Sequence, residues 1–163
     1  MTSTRLVTAR LDLERLSPEL ARDILRGERR DDWCEGFPPK GEYKASTWVA
    51  SDGNAPARAP FIAYLVREHT TGLLIGGAGF HGRPVDRAAE VGYGLVESFW
   101  GRGYATEACA ALVSAAWTSG QIDTLVANND VENSASKAVL KRCGFTPMNE
   151  VETYWVMTVD SAH

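Results

Sequence analysis

Residues 90–111 read EVGYGLVESFWGRGYATEACAA. Val91, Tyr93 and Leu95 alternate with Glu90, Gly92 and Gly94, the two-residue period of a strand. From Tyr104 the period changes. Ala105, Ala108, Leu112 and Ala115 or Ala116 recur on one helical face, and Gly120 supplies a stop. Between the two lies Gly101-Arg102-Gly103-Tyr104-Ala105, a glycine-rich turn that enters the helix at once. Glycine permits close backbone approach and unusual dihedrals. A helix start leaves backbone N–H groups unpaired, and the positive end of the helix dipole lies there too. The combination is an anion site suited to phosphate, and Arg102 adds a charge that phosphate can pair with.

Several readings of this turn compete. A dinucleotide fingerprint requires glycine or alanine where Thr106 stands, although Asp123, about twenty residues beyond the turn, is the acid such a site uses. A P-loop requires Gly-Lys-Ser or Gly-Lys-Thr, and the chain has neither tripeptide. A glycine-rich turn between strand and helix can also serve only to turn the chain.

Working outward, Val7, Ala9, Leu11 and Leu13 alternate with polar residues and predict a first strand. Ser17-Pro18 reads as a helix N-cap with proline at the first helical position, Leu20, Ile24 and Leu25 give an apolar face, and Gly27 ends it. The stretch from Arg29 to Trp48 predicts a short helix and an irregular segment, and Ser51 to Pro60 a loop. Phe61 to Val66 and Leu73 to Phe80 read as partner strands joined by a turn at His69 to Gly72. Ile122 to Ala127 predicts a strand, Asn133 to Arg142 a helix closed by Gly144, and Tyr154 to Val159 a last strand. This order predicts one mixed α/β domain over residues 1–163, built on a sheet.

Composition sets the outer limits. The chain has 163 residues, 44% of them apolar, enough for one domain with a substantial core. A net charge of −4 argues against a nucleic-acid binder, and 23% charged with 9% aromatic residues argues against disorder. Cys34, Cys109 and Cys143 form no C-x-x-C pair, as expected for reduced thiols in the cytoplasm. The first residues show no signal core, and the longest mostly apolar stretch, Ala108 to Trp117, is about half of a bilayer span, so no membrane association is expected. No His/Cys cluster has metal spacing, and there is no G-x-S-x-G elbow. Trp117 and Trp155 are expected in the core, and Glu107 reads as a favourable carboxylate in the first turn of its helix.

Four segments together resemble the GNAT superfamily of acyl-CoA-dependent N-acetyltransferases. They are Thr4-Arg5-Leu6 through Leu13, Ile75-Gly76-Gly77-Ala78-Gly79-Phe80, Glu90 to Ala108, and Asn133-Ser134-Ala135-Ser136 running to Gly144-Phe145. The likeness is closest to the branch of ribosomal-protein N-terminal acetyltransferases. It implies an α+β fold with a mostly antiparallel central sheet, flanked by helices and splayed near the middle for an acyl-CoA. It also implies acetyl-CoA as cosubstrate, with no metal. The family's loop carries Gln or Arg where Trp100 stands, a departure at one side-chain contact. By the resemblance, the amides of Gly101, Arg102, Gly103, Tyr104, Ala105 and Thr106 hold the pyrophosphate. Backbone groups of Leu95 and Val96 pair with the pantetheine arm, and Asn133 hydrogen-bonds the same arm.

Acetyl transfer to an amine needs a proton acceptor for the amine, stabilisation of the thioester oxygen, and a proton donor for the departing thiolate. Glu90 is the first candidate for the base, where the family often places a carboxylate, and His81 is its rival, since histidine titrates in the useful range. Both also read as surface turn residues. Ser136 is the candidate acid, because Leu140 occupies the place where many relatives carry a tyrosine. Asn133 and Ser136 equally suit a helix cap. Trp33, Phe37 and Tyr43 with Asp31, Asp32 and Glu35 predict a partly aromatic, acidic wall for a small cationic amine or a peptide N-terminus. The expected assembly is a monomer or homodimer. A non-catalytic acyl-CoA sensor on the same fold is the alternative.

Overall fold

The alternation from Val7 to Leu13 is interrupted by a chain reversal. In the computed structural model, β1 (Arg5–Val7) and β2 (Leu11–Arg15) form an antiparallel hairpin in place of the single expected strand. Thr8 closes the turn: its N–H donates to Leu11 O at 2.8 Å and its Oγ accepts from Leu11 N at 3.0 Å. Both arms keep the two-residue period, so the pattern gave no sign of the turn. Leu11 and Leu13 are fully buried, whereas Val7 is 64% exposed. The structure describes residues 4–50 and 54–159, with the side chains of residues 41–44 and 48 outside that description. Tyr43 and the first three residues of the expected 51–60 loop therefore lie outside the described set.

Helix α1 (Pro18–Arg26) forms as its caps dictate: Ser17 Oγ accepts from Leu20 N and Gly27 adopts a left-handed C-cap. The segment after it runs irregularly to α2 (Gly41–Ala50). Trp33 and Phe37 are buried there, with ring centroids 5.0 Å apart, and form part of the core. Beyond them, Asn54 is buried and ties the described part of the 51–60 loop to the sheet. Its amide donates to Leu16 O and Ala63 O and accepts from Ala63 N.

The remaining strands are β3 (Ala63–Glu68), β4 (Leu74–Phe80), β5 (Ala88–Leu95), β6 (Thr124–Asn128), β7 (Thr146–Pro147) and β8 (Tyr154–Thr158). They join the hairpin in an eight-stranded sheet of order β1-β2-β3-β4-β5-β6-β8-β7. Every pairing is antiparallel except β5 with β6. Helices α3 (Tyr104–Thr118) and α4 (Ser134–Arg142) follow β5 and β6. Tyr104, Ala108, Leu112 and Ala116 recur every fourth residue and are the buried face of α3. One cluster of buried residues runs from Leu11 to Met157 and includes Trp155, while Trp117 packs against its edge, half-buried. Truncating a side chain such as Leu112 costs about 2–5 kcal/mol in an environment of this kind. No helix among the described residues is long and apolar enough to cross a membrane.

The register of β4 and β5 decides what the sheet presents. Val96 N–H donates to Ile75 O and His81 N–H to Glu90 O, both at 2.9 Å. Antiparallel pairs alternate, so Glu90, Gly92, Gly94 and Val96 turn their backbone groups to β4. Val91, Tyr93 and Leu95 turn theirs the other way. There β6 accompanies β5 only from Ala88 to Val91, and beyond Val91 the two strands part.

Candidate active site

The turn from β5 into α3 is built on two left-handed glycines, Gly101 at φ 76° and Gly103 at φ 82°. The first bond across the helix start runs from Glu107 N to Gly103 O at 3.1 Å. Among the described residues, no backbone acceptor takes the N–H groups from Gly101 to Thr106. They form a row of donors at the positive end of a 15-residue helix. The Arg102 side chain lies back along the preceding turn, 4.9 Å from the Phe99 ring centroid, with Nη2 3.3 Å from Ser98 O.

A second arginine, unmarked by any sequence motif, braces the turn. Arg10 reaches from the β1–β2 reversal, pairs with Glu107 at 2.8 Å, donates to Arg102 O at 3.0 Å and lies over the Tyr104 ring. Glu107 also accepts from Thr8 Oγ and Arg10 N. Burial alone would raise the Glu107 carboxyl, but these hydrogen bonds and the Arg10 charge hold it below its ordinary value. Glu107 is thus a tie between hairpin and helix as well as a first-turn carboxylate. The buried Glu68 accepts from Tyr104 Oη and Thr71 Oγ1 on the same side.

Where β5 and β6 part, a cleft of about 570 Å³ opens. Its lining draws on both faces of β5: Gly92 and Gly94 from one, Val91 and Tyr93 from the other. The cleft therefore passes through the plane of the sheet. His81 and Asn128 stand at one part of it, Ser136 and Leu140 at another. His81 Nδ1 lies 2.9 Å from Glu90 Oε2, and Asn128 Nδ2 donates to the same oxygen at 3.2 Å. The imidazole lies over Gly92, where a Cβ would sit 2.5 Å from His81 Nε2. On the α4 side, Asn133 Oδ1 caps the helix by accepting from Ser136 N at 3.0 Å, and Ser136 Oγ lies 3.0 Å from Tyr93 Oη. Burial pushes the Tyr93 phenol well above its usual value, so it is protonated around neutral pH. Cys109, buried, and Cys143, half-buried, are free cysteines, and Cys143 Sγ donates to Thr106 O at 3.7 Å.

The arrangement sorts the residues expected from sequence. Glu90 and His81, read as rivals, are in contact. Asn133 caps α4, and its oxygen is committed there while its Nδ2 is not. Leu95 turns its groups to the open edge, and its carbonyl accepts from Trp100 Nε1 at 2.8 Å. Val96 turns inward, with its N–H on Ile75 and its C=O on Phe99 N. Of the expected aromatic wall, Trp33 and Phe37 are packed in the core and Asp32 pairs with Arg67, while the Tyr43 side chain lies outside the description. Tyr93, Arg10 and Asn128 are the residues that sequence reading missed. Tyr93 lay within the quoted strand pattern, but period alone does not say what a hydroxyl will meet.

The family profile described as an acetyltransferase (GNAT) domain matches residues 10–146. The chain is 36% identical over 61 residues to the Bacillus subtilis (strain 168) protein named "Putative ribosomal N-acetyltransferase YdaF", an alignment spanning 37% of this chain and only 33% of that relative. Among solved structures, an acetyltransferase from Agrobacterium tumefaciens str. C58 is 25% identical with a TM-score of 0.65, covering 96% of this chain and 95% of that one. The ribosomal L7/L12 alpha-N-protein acetyltransferase RimL, solved in complex with coenzyme A, shares the fold with a TM-score of 0.66 at 21% identity, covering 95% of this chain and 97% of its own.

Proposed function

The chain belongs to the acetyltransferase (GNAT) domain family, and from that membership we propose that it transfers an acetyl group from acetyl-coenzyme A to an amine, acting as one unit over residues 1–163. The observation that carries this reading is the row of N–H groups from Gly101 to Thr106, which no backbone acceptor among the described residues takes, opening beside the parted strands β5 and β6. The residues present fit the coenzyme. The donor row and Arg102 suit its phosphates, the backbone groups of Tyr93, the Leu95 N–H and the Asn133 amide suit the amides of its arm, and the cleft takes its acyl end. Val96 shapes the end of the strand and offers no backbone group of its own. When bound, the thioester supplies the activated acyl group.

Glu90 and His81 act as one proton-collecting pair. With the imidazole Nδ1–H donated to the carboxylate, Nε2 is left to take the proton of the amine, and Asn128 holds the carboxylate in place. Ser136 Oγ holds the proton that faces the coenzyme's sulfur, at the first turn of α4 where the helix dipole favours negative charge. Because the cleft passes through the sheet, the two proton sites serve one reaction space from different sides.

The names of the relatives YdaF and RimL favour a protein or peptide N-terminus as the acceptor, and a cytoplasmic setting follows from that acceptor. The test has two arms. Acetyl-CoA raises the melting temperature of the folded protein, since a ligand that binds only the native state stabilises it. A panel of amines and peptide N-termini then releases the coenzyme thiol in the presence of the protein. Absence of a thermal shift at millimolar acetyl-CoA overturns the coenzyme reading, and tight binding with no thiol release from any amine favours a sensor.

A further inference from the structure

Tyr93 and Ser136 come from different layers, strand β5 and helix α4, and meet at the cleft with their oxygens 3.0 Å apart. Ser136 has two possible hydrogen directions, one toward Tyr93 and one toward the cleft. Its backbone is fixed by the Asn133 cap, so the hydroxyl rotor is what remains free. A phenol carries one hydrogen. If Tyr93 donates it to Ser136 Oγ, the serine hydrogen must point elsewhere, and the open side is the cleft. The other acceptor within reach of Tyr93 Oη, the Ser136 carbonyl, is longer at 3.3 Å.

We infer that Tyr93 is a positioning residue for the reaction: its phenol donates to Ser136 Oγ and so fixes the serine hydrogen toward the coenzyme's sulfur. The inference rests on the acetyl-CoA reading above. Tyr93 keeps its proton throughout. Over the whole reaction the amine loses one proton, the acyl C–S bond breaks, the C–N bond forms, and the sulfur ends protonated, so no further reactant is needed. The tyrosine contributes direction: an aligned O–H stabilises a thiolate more than one that must first turn away from another partner. The partial burial that raises the phenol above its usual value keeps it a donor over the working pH range.

The test reads the coenzyme A thiol by its ultraviolet thiolate absorbance as a function of pH, in complexes with the wild type and variants. It requires no acceptor. The bound thiol ionises at lower pH in the wild type than in Tyr93→Phe, by roughly one pH unit, a tenfold change in the ionisation constant. Ser136→Ala gives the same upward displacement, and adding Tyr93→Phe to it changes nothing more. Tyr93→3-fluorotyrosine, with a more acidic phenol, displaces the titration downward and covers the case in which Tyr93→Phe does not fold. With an acceptor in hand, Tyr93→Phe lowers kcat and leaves KM for acetyl-CoA in place. Identical titrations in the wild type and both Tyr93 variants overturn the inference. An additive Tyr93→Phe effect in the Ser136→Ala background also overturns it. Failure of coenzyme A to bind the wild type overturns the coenzyme reading itself.

Discussion

His81 Nδ1 and Glu90 Oε2 lie 2.9 Å apart, one residue beyond the Phe80–Val91 pair of β4 and β5. The same strand pairing that brings His81 N–H to Glu90 O places both side chains on one face of the sheet. Two candidates for a single proton are thereby joined in one device, with histidine lining the cleft and the carboxylate behind it.

That device has a kinetic signature. Glu90→Gln keeps the shape of the side chain and loses its charge, and it lowers kcat by roughly 100-fold while acetyl-CoA affinity stays level. His81→Gln does the same, and the double variant is no slower than the worse single one, because the two residues serve one step. Thiol-release rates and calorimetric affinities check this. Fully multiplicative losses would separate the pair.

Gly92 is the floor under the imidazole. A Cβ there would lie 2.5 Å from His81 Nε2, so Gly92→Ala pushes the ring out of place. Because a misplacement of about 1 Å can cost on the order of 100-fold, kcat falls by up to that factor with coenzyme affinity preserved. Wild-type turnover in Gly92→Ala would show that the ring position is unimportant.

Gly103 holds a left-handed conformation, and its Cβ would stand 3.3 Å from Arg10 Nη2. Gly103→Ala stores about 1–2 kcal/mol of backbone strain. In a chain of this size that lowers the melting temperature by roughly 2–8 °C. It also tilts the donor row, so coenzyme A binds more weakly. Gly103→Pro, which in addition deletes one N–H, abolishes binding. A thermal scan with and without coenzyme A measures both effects.

Arg102 is half-exposed and turned toward Phe99 and Ser98, so in the proposed coenzyme site the backbone amides are expected to carry most of the phosphate contact. Arg102→Ala weakens coenzyme A binding by about tenfold, or 1.4 kcal/mol. A loss of a thousandfold would transfer the main role from the amides to this side chain.

Glu107 is held below its ordinary carboxyl value in the folded chain. A depressed carboxyl stabilises the fold fully above the unfolded value of about 4.3, and the contribution is lost as pH falls through the lower folded value. Wild type is therefore more stable than Glu107→Gln at neutral pH, and the gap closes on acidification below about pH 4. Denaturant midpoints for both proteins from pH 7 down to pH 3 test the sign. A gap that widens in acid contradicts it.

What the sequence determined by itself is local. The Ser17-Pro18 start and Gly27 stop of α1, the change of period at Tyr104, and the two glycines before it are settled by hydrogen bonds within a few residues. Those features were enough for the mixed sheet, the helices on it and the glycine-rich turn into α3. What only the tertiary structure decided is direction and partnership. The Thr8 reversal is invisible to a period that continues through it, and its tie to Glu107 spans 99 residues. Tyr93 and Ser136 meet across 43 residues, and their contact follows from how α4 docks on the sheet. Val96 turns its backbone groups to β4 while its neighbour Leu95 turns its own to the open edge, a choice fixed by strand register, where one residue reverses every group. Trp33 and Phe37 carry the composition of a binding wall, but the packing between the first helices and β4 buries them. Composition tells which side chains can recognise a cationic amine. Whether they meet one depends on which of them the core has already enclosed.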